Sequence, residues 1–315
     1  MTDYLDEIVG QETAKNFVRT ALKKGNLYNF LFVGPKGVGK RRLGFALAKT
    51  LACPPNSPNL IVVAPIPSKI KEKKDKIYEY TKQYFPENAV IEIEDRTAIL
   101  IEQIRGVIER LVHMPSLGSK RVVLIIEADR MTDEAANCFL KTLEEPPIDT
   151  IFILTTSRPN FLLPTIHSRC QKVPFTYMND EQIKNIIFEG SDEFQLGSPG
   201  EILMFQKKNL VEDVLDIFKN SPLNLKAAAD TAKGFEYMKI VDLLYPLLLL
   251  YRLVLYRKLN IVTNSTVDIE ITKKANKITL EKIINTISML NYSINSLEQN
   301  PHRLLLLLNT LTKLP

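Results

Sequence analysis

Two short apolar runs, Val122–Ile126 and Ile151–Leu154, stand out in the stretch KRVVLIIEADRMTDEAANCFLKTLEEPPIDTIFILTTSRPNFLLPTIHSRC (120–170). Each is too short for a helix and rich in β-branched residues, so each reads as a buried strand. Between them the apolar positions take a helical period. Ala135, Ala136, Phe139, Leu140 and Leu143 fall on one face, which predicts a helix over Asp133–Glu145. Thr132 or Asp133 can cap its start, and Pro146-Pro147 forbids its continuation. Strand, helix and strand in this order make one crossover unit of a parallel sheet.

The same patterns organise the rest of the chain. Gln11 to Lys24 reads as a helix after a Val9-Gly10 turn, and Asn29–Val33 as a buried strand. A further helix carries Leu43, Leu47 and Leu51 on one face. Residues 54–68 hold five prolines around a short strand, Leu60–Val63, and Val90–Ile93 reads as another strand. Thr97–His113 is an amphipathic helix with Ile101, Ile104, Ile108 and Leu111 inward. Asp180–Glu189 reads as one more helix. Beyond about residue 210 the chain is mainly helical, with leucine-rich segments at 240–259, 278–297 and 301–314 and a turn at Asn260–Asp268. The run Leu304–Leu308 is apolar all round, which predicts burial in a bundle or against another chain.

Chemistry enters between the Asn29–Val33 strand and the helix after it. Gly34-Pro-Lys36-Gly37-Val38-Gly39-Lys40 is a GxxxxGK loop with a strand before and a helix after. Its glycines let backbone N–H groups close around phosphates, the helix N-terminus adds positive potential, and Lys40 adds a point charge. The next position departs from the pattern. Where a Ser or Thr hydroxyl would hold magnesium there is Arg41, which has no lone pair to offer. At the end of VVLII, where a P-loop ATPase has Asp then Glu for metal and water, the sequence reading assigns Glu127 and Ala128. Asp129 comes one residue late on an alternating strand, so Glu127 can offer magnesium a carboxylate but no catalytic base stands at 128. Two defects in one reaction centre predict no ATP turnover. Two readings of the loop stay open: it holds ATP or ADP without hydrolysis, or it is empty.

Composition narrows the class. The 315 residues suggest two or three domains. With 41 Lys+Arg against 36 Asp+Glu the net charge is +5, mild enough to allow one basic face but no dedicated nucleic-acid binder. The basic run Lys69–Lys76 reads as a solvated helix face, with a DNA contact as the alternative. Cys53, Cys138 and Cys170 form no CxxC pair, which suits a reducing cytoplasm. The N-terminus has no signal-like segment. The most apolar run, Leu243–Tyr251, is interrupted by Arg252 and falls short of a membrane span, so no membrane partner is expected. Cys170 reads as a small buried hydrophobe rather than a nucleophile paired with His167.

DEAANCFLKTLEEPP and TTSRPNFLLPTIHSRC resemble the bacterial clamp-loader branch of the AAA+ proteins. Val9-Gly10-Gln11, NFLFVGPKGVGK, Gln103-Ile104-Arg105 and Gly197-Ser198-Pro199-Gly200 extend the resemblance over about residues 5–205. It implies an α/β P-loop AAA+ core (1–176), a reduced helical lid (177–208) and an all-α collar (209–315) through which subunits associate. It implies a pentameric ring in which Arg169, in Ser-Arg-Cys, reaches the ATP of a neighbouring subunit. Implied partners are ATPase subunits of gamma/tau type, a delta-type subunit, the sliding clamp, and primer-template DNA reached through the complex. Many relatives carry a four-cysteine zinc insertion, whereas here only Cys53 remains, so no zinc or other metal site is expected. An arginine that senses the γ-phosphate in hydrolysing relatives is replaced by Gly200. The resemblance therefore implies a non-hydrolytic subunit that requires no cofactor. The alternatives are an active ATPase motor subunit and a DNA-binding or scaffold subunit.

Overall fold

We describe residues 2–25, 29–67, 74–88, 97–113, 115, 119–186, 198–200, 202–203, 211–233, 237–261, 268–297 and 302–315 of the computed structural model. The expected strand Val90–Ile93, Lys69 to Lys73 of the basic run, most of the Asn260–Asp268 turn and much of the expected lid lie outside them. The chain divides into two compact units. One holds Met1–Ile186 with Gly197–Gly200, and the other Ile187–Leu196 with Glu201–Pro315.

The first unit is built on five parallel strands in the order β2-β5-β6-β1-β7. These are β1 (Phe30–Val33), β2 (Leu60–Val63), β5 (Arg121–Ile125), β6 (Thr150–Thr156) and β7 (Gln171–Pro174). The helices of this unit are α1 (Glu12–Lys23), α2 (Lys40–Thr50), α3 (Lys74–Lys82), α4 (Ile101–Leu111), α5 (Asp133–Glu144), α6 (Pro164–Arg169) and α7 (Asp180–Lys184). The expected α/β architecture, a parallel sheet flanked by helices with the P-loop between its first strand and the following helix, is observed.

Strand alternation sorts side chains between two cores. Phe30, Phe32, Val122, Leu124 and Ile126 pack with Leu43 and Leu47 of α2 and Val18 of α1. Leu31, Val123 and Ile125 pack on the other face with Ile104 of α4 and Phe139 of α5. The β5–α5–β6 crossover has the predicted form, with Arg121 opposite Thr150 and Ile125 opposite Leu154. The Thr132 hydroxyl accepts the Ala135 N–H at 3.2 Å, which caps α5.

Local expectations differ in four places. Thr97-Ala98 is not helical but a strand, β4, paired antiparallel with Ile66–Pro67 (β3). The helix that was expected from Thr97 starts at Ile101, where the Gln103 side chain accepts the Leu100 N–H at 3.0 Å. Arg169 closes a six-residue helix opened by Pro164, ahead of an edge strand, rather than following β6 directly. The helix at Asp180 ends at Lys184.

The second unit is helical: α8 (Val211–Asn220), α9 (Leu225–Lys233), α10 (Tyr237–Lys258), α11 (Asp268–Lys277), α12 (Leu280–Ser296) and α13 (Arg303–Thr312). Its core includes Leu243, Leu247, Leu250, Tyr251, Leu253 and Val254 of α10. The Tyr251 hydroxyl donates to the Pro315 carbonyl at 3.0 Å. The leucine run of α13 is buried at Leu307 only, while Leu304 and Leu305 are exposed, so within this chain it is amphipathic rather than apolar all round. None of the described helices is long and apolar enough to cross a membrane.

Candidate functional site: a P-loop at one edge and an arginine at the other

The loop after β1 takes the backbone shape that phosphate binding needs. Gly37 and Gly39 have φ of 75° and 98°, a region that favours glycine, and α2 begins at Lys40. Three contacts hold the loop from outside. Gln11, itself at φ 58°, donates to Thr176 O at 2.7 Å and to Val38 O at 3.3 Å, and accepts the Thr176 N–H at 3.1 Å. That gives Val9-Gly10-Gln11 a physical role: it clamps the loop to the end of β7. The Ser198 hydroxyl donates to Lys36 O at 2.7 Å, and the Gly200 N–H to Gly37 O at 3.0 Å. A Cβ on Gly200 would stand 2.8 Å from Gly37 Cα, so a side chain there would displace the segment. Lys40 Nζ donates to Gly34 O at 2.7 Å and to Pro35 O.

Arg41 occupies the first turn of α2. One guanidinium nitrogen donates to Asn88 O, and another, Nη1, is buried without a hydrogen-bond partner. Burial, reinforced by adjacent Arg42, pulls the group down to about 10, so it stays charged at neutral pH, while Glu127, Tyr84 and Glu87 act against the shift. The Tyr84 phenol is buried, also without a partner; burial and the Glu127 charge push it up, so it stays protonated. Burial alone would raise the Glu127 carboxyl, but Arg130, Lys36 and Arg158 together hold it below the usual range. Its Oε2 lies 2.6 Å from Arg130 Nε, and its N–H donates to the Thr155 hydroxyl at 3.1 Å.

The strand register moves the acidic pair expected at Glu127 and Ala128 by one residue. Ile126 continues the ladder through its N–H to Val63 O at 2.8 Å, and it packs on the α2 face with Leu124. The last side chain of this ladder facing the helix of the P-loop, one residue past β5, is therefore an isoleucine. Glu127 follows at φ 51°, and Ala128 turns into the opposite core. Asp129 is committed elsewhere. Its carboxylate accepts the Thr156 hydroxyl at 2.6 Å and Arg158 Nε at 2.8 Å, tying the turn after β5 to the end of β6. Sequence reasoning had not singled out Tyr84, Thr155 or Arg158. The TTSR run after an apolar strand was the available signal for the last two.

Magnesium does not fit these residues. It asks for oxygen ligands in near-octahedral array, and the two positions that would supply them hold a guanidinium and an aliphatic chain. Among the described residues no group of three or more His, Cys, Asp or Glu could hold a metal ion.

Arg169 lies at the other end of the strands. Its carbonyl accepts from the Asn29 side chain at 3.1 Å, and Asn29 precedes β1 whereas the P-loop follows it. About 16 Å of strand separates the two ends. The guanidinium lies 3.3 Å from Glu144 and donates to Thr165 O at 3.1 Å, on a side chain 28% exposed beside a carboxylate 60% exposed. An exposed pair of this kind is weak. Burial pushes the neighbouring Cys170 thiol up to about 12, which leaves no thiolate at neutral pH. His167 Nε2 is 2.7 Å from Pro159 O rather than on the cysteine.

The chain matches the family profile described as "DNA polymerase III, delta subunit" over residues 10–179. It is 31% identical over 180 residues to DNA polymerase III subunit tau of Escherichia coli, a match covering 57% of this chain and 26% of that protein. It is 28% identical over 231 residues to subunit gamma of Buchnera aphidicola, covering 70% and 60%. To subunit delta' of Pseudomonas aeruginosa it is 34% identical over 142 residues, covering 45% and 40%. The chain thus spans less than two thirds of the length of each of these relatives. Among solved structures, a gamma subunit-related protein of Thermotoga maritima aligns over 95% of this chain and 97% of its own, at 20% identity and a TM-score of 0.44. The profile covers more than half of the sequence, and the chain belongs to the DNA polymerase III delta-subunit family.

Proposed function

We propose that this chain is a non-hydrolytic subunit of a bacterial clamp loader, of the delta-prime kind, which supplies Arg169 to the ATP of a neighbouring subunit. The observation that carries the reading is the position of Arg169. It sits part-exposed at the strand ends opposite its own P-loop, with the exposed carboxylate of Glu144 as its ionic partner among the described residues. A guanidinium so placed has nothing to do for its own loop, and its weak exposed pairing with Glu144 and its bond to Thr165 O can be exchanged for contacts in an adjoining site. There its planar fork matches the γ-phosphate oxygens and stabilises the charge that develops on them during transfer.

The partners that follow are ATPase subunits of gamma/tau type, a delta-type subunit, the sliding clamp and, through the complex, primer-template DNA. The compartment is the cytoplasm. The helical unit would be the collar, a reading with which the exposed Leu304 and Leu305 agree. An active motor subunit is disfavoured by Arg41 and Ile126, which stand where metal-binding oxygens would be needed. A DNA-binding role through Lys69–Lys76 would give the isolated chain a steep salt dependence of DNA affinity.

The test is reconstitution with the partner ATPase subunits, clamp and primed DNA, comparing wild type with Arg169→Ala. Assembly is checked separately by size-exclusion chromatography. The expected result is an intact complex in which hydrolysis at one site falls by about 10³-fold, the lower end of what such fingers contribute in GTPases. Unchanged hydrolysis in an assembled complex would make Arg169 structural and end the proposal.

A further inference from the structure

Two helices of the first unit stop beside Arg169, and each leaves a carbonyl without a helical partner. Leu143 is in the last turn of α5 and Arg169 closes α6, so neither C=O has an N–H four residues on within its own helix. One side chain serves both. The Asn29 amide donates to Leu143 O at 2.8 Å and to Arg169 O at 3.1 Å, one bond for each of its hydrogens. The Asn29 carbonyl in turn accepts the Gln171 N–H at 2.7 Å, so this residue holds the main chain on both sides of Cys170. At 6% exposed it is the polar member of an otherwise apolar run, NFLFV, and burying an amide there is costly unless its hydrogen bonds are made.

The two carbonyls matter through what is attached to them. Glu144, one residue past Leu143, carries the carboxylate 3.3 Å from Arg169 Nη2. Arg169 Nη1 donates to Thr165 O at 3.1 Å, while Nε is buried without a hydrogen-bond partner. These contacts hold the guanidinium loosely, so its place is set by where the main chain of Arg169 stands. We propose that Asn29 is the positioning residue for Arg169, its amide fixing the backbone from which the guanidinium reaches a neighbouring subunit's ATP. This rests on the reading of Arg169 as a group that acts in trans. Asn29 touches neither nucleotide nor reacting atoms; it acts by holding the ends of α5 and α6 at one spacing. Such spacing is demanding, since a misplacement of about 1 Å can cost about 10²-fold in rate. Without the amide both carbonyls lose their donor, and the two helix ends shift to find water or other partners.

DNA-stimulated hydrolysis in the reconstituted complex tests this, with assembly and the melting temperature of the isolated chain measured for every variant. Asn29→Ala removes both bonds, whereas Asn29→Ser keeps one hydroxyl proton, which serves one carbonyl at most. Val18→Ala opens a cavity in the core on the other face of the sheet and controls for stability alone. In assembled complexes, kcat at the adjoining site should fall about tenfold or more for Asn29→Ala and by less for Asn29→Ser. KM for ATP should stay unchanged, because only the transition state loses a contact. Val18→Ala should keep the wild-type kcat, and Asn29→Ala combined with Arg169→Ala should be no slower than Arg169→Ala alone. A wild-type kcat for Asn29→Ala, or for Asn29→Ser should the alanine variant fail to assemble, overturns the proposal and leaves the role of Arg169 standing. An equal loss in Val18→Ala, or a further loss in the double variant, overturns it too, since Asn29 would then be acting on the fold at large. Unchanged hydrolysis in Arg169→Ala ends both readings, which tells the two failures apart.

Discussion

Lys274 illustrates how a single buried charge can be read as a stability statement. It is 8% exposed and donates to Phe218 O at 2.6 Å and Ser221 O at 3.0 Å. Burial, then the like charge of Lys277, pulls its ammonium down to about 8, against the opposing pull of Glu270. The folded pKa lies below that of the unfolded chain. Below pH 8 both states carry the proton and the group adds no pH dependence. Between about pH 8 and the ordinary lysine value the unfolded chain binds the proton and the folded one does not, so stability rises with pH. The full effect is on the order of 3 kcal/mol. Urea denaturation of wild type and Lys274→Met should therefore diverge, with wild type gaining on the variant from pH 8 to pH 10. Parallel curves would mean the ammonium is solvated. Nothing in the sequence marks this lysine, because KKANK reads as any exposed helix face and its burial is decided by where Phe218 and Ser221 lie. Arg41 was the opposite case. Its oddity is visible from the motif alone, whereas its unpartnered nitrogen and the nearby Tyr84 depend on how the chain folds.

At the scale of elements, legibility followed how local the determinants are. Helix α5 was readable to within a residue because its cap at Thr132 and its stop at Pro146-Pro147 are local chemistry. The phase of β5 was not. All five residues of RVVLI are buried on both faces, as in the interior of a parallel sheet, so there is no alternation from which to tell which side chains face α2. That is why the sequence alone points to Glu127 and Ala128 for the acidic pair, whereas the ladder runs on to Ile126. Strand β7, QKVP, was missed because its polar residues and terminal proline suit only an edge strand, where partial exposure and a missing N–H are tolerated. Its contact with the P-loop is nonetheless tight. Phe175, just after β7, donates its N–H to Val33 O at 2.7 Å. A Cβ on Gly34 would stand 2.7 Å from Phe175 Cβ and closer still to its carbonyl oxygen. Gly34→Ala should push β7 off the sheet edge at a cost of about 1–3 kcal/mol, the range for overpacked sites. Its melting temperature checks this, and a variant as stable as wild type would show that the edge yields freely.

Across the first unit, the candidate functional groups divide between the two ends of one parallel sheet, and the division has a consequence for the proposed complex. The P-loop, Arg41, Tyr84 and Glu127 gather where β1 and β5 end, whereas Arg169 is tied to the start of β1 through Asn29. A subunit whose own loop hydrolysed ATP would need the first edge for turnover. A subunit that only serves its neighbour needs the second. Substitutions at the two edges should then act separately. In a reconstituted, DNA-stimulated complex, Lys40→Ala is expected to leave hydrolysis within about twofold of wild type, and Arg169→Ala to lower it by about 10³-fold at the adjoining site. The double variant should match Arg169→Ala alone. Assembly of each complex is measured in parallel, since a nucleotide held by Lys40 could brace the loop without entering the reaction. If Lys40→Ala alone collapses hydrolysis in an intact complex, this chain's P-loop takes part in the cycle. The division of labour between the two edges would then be wrong, because a loop without metal ligands would be contributing to turnover.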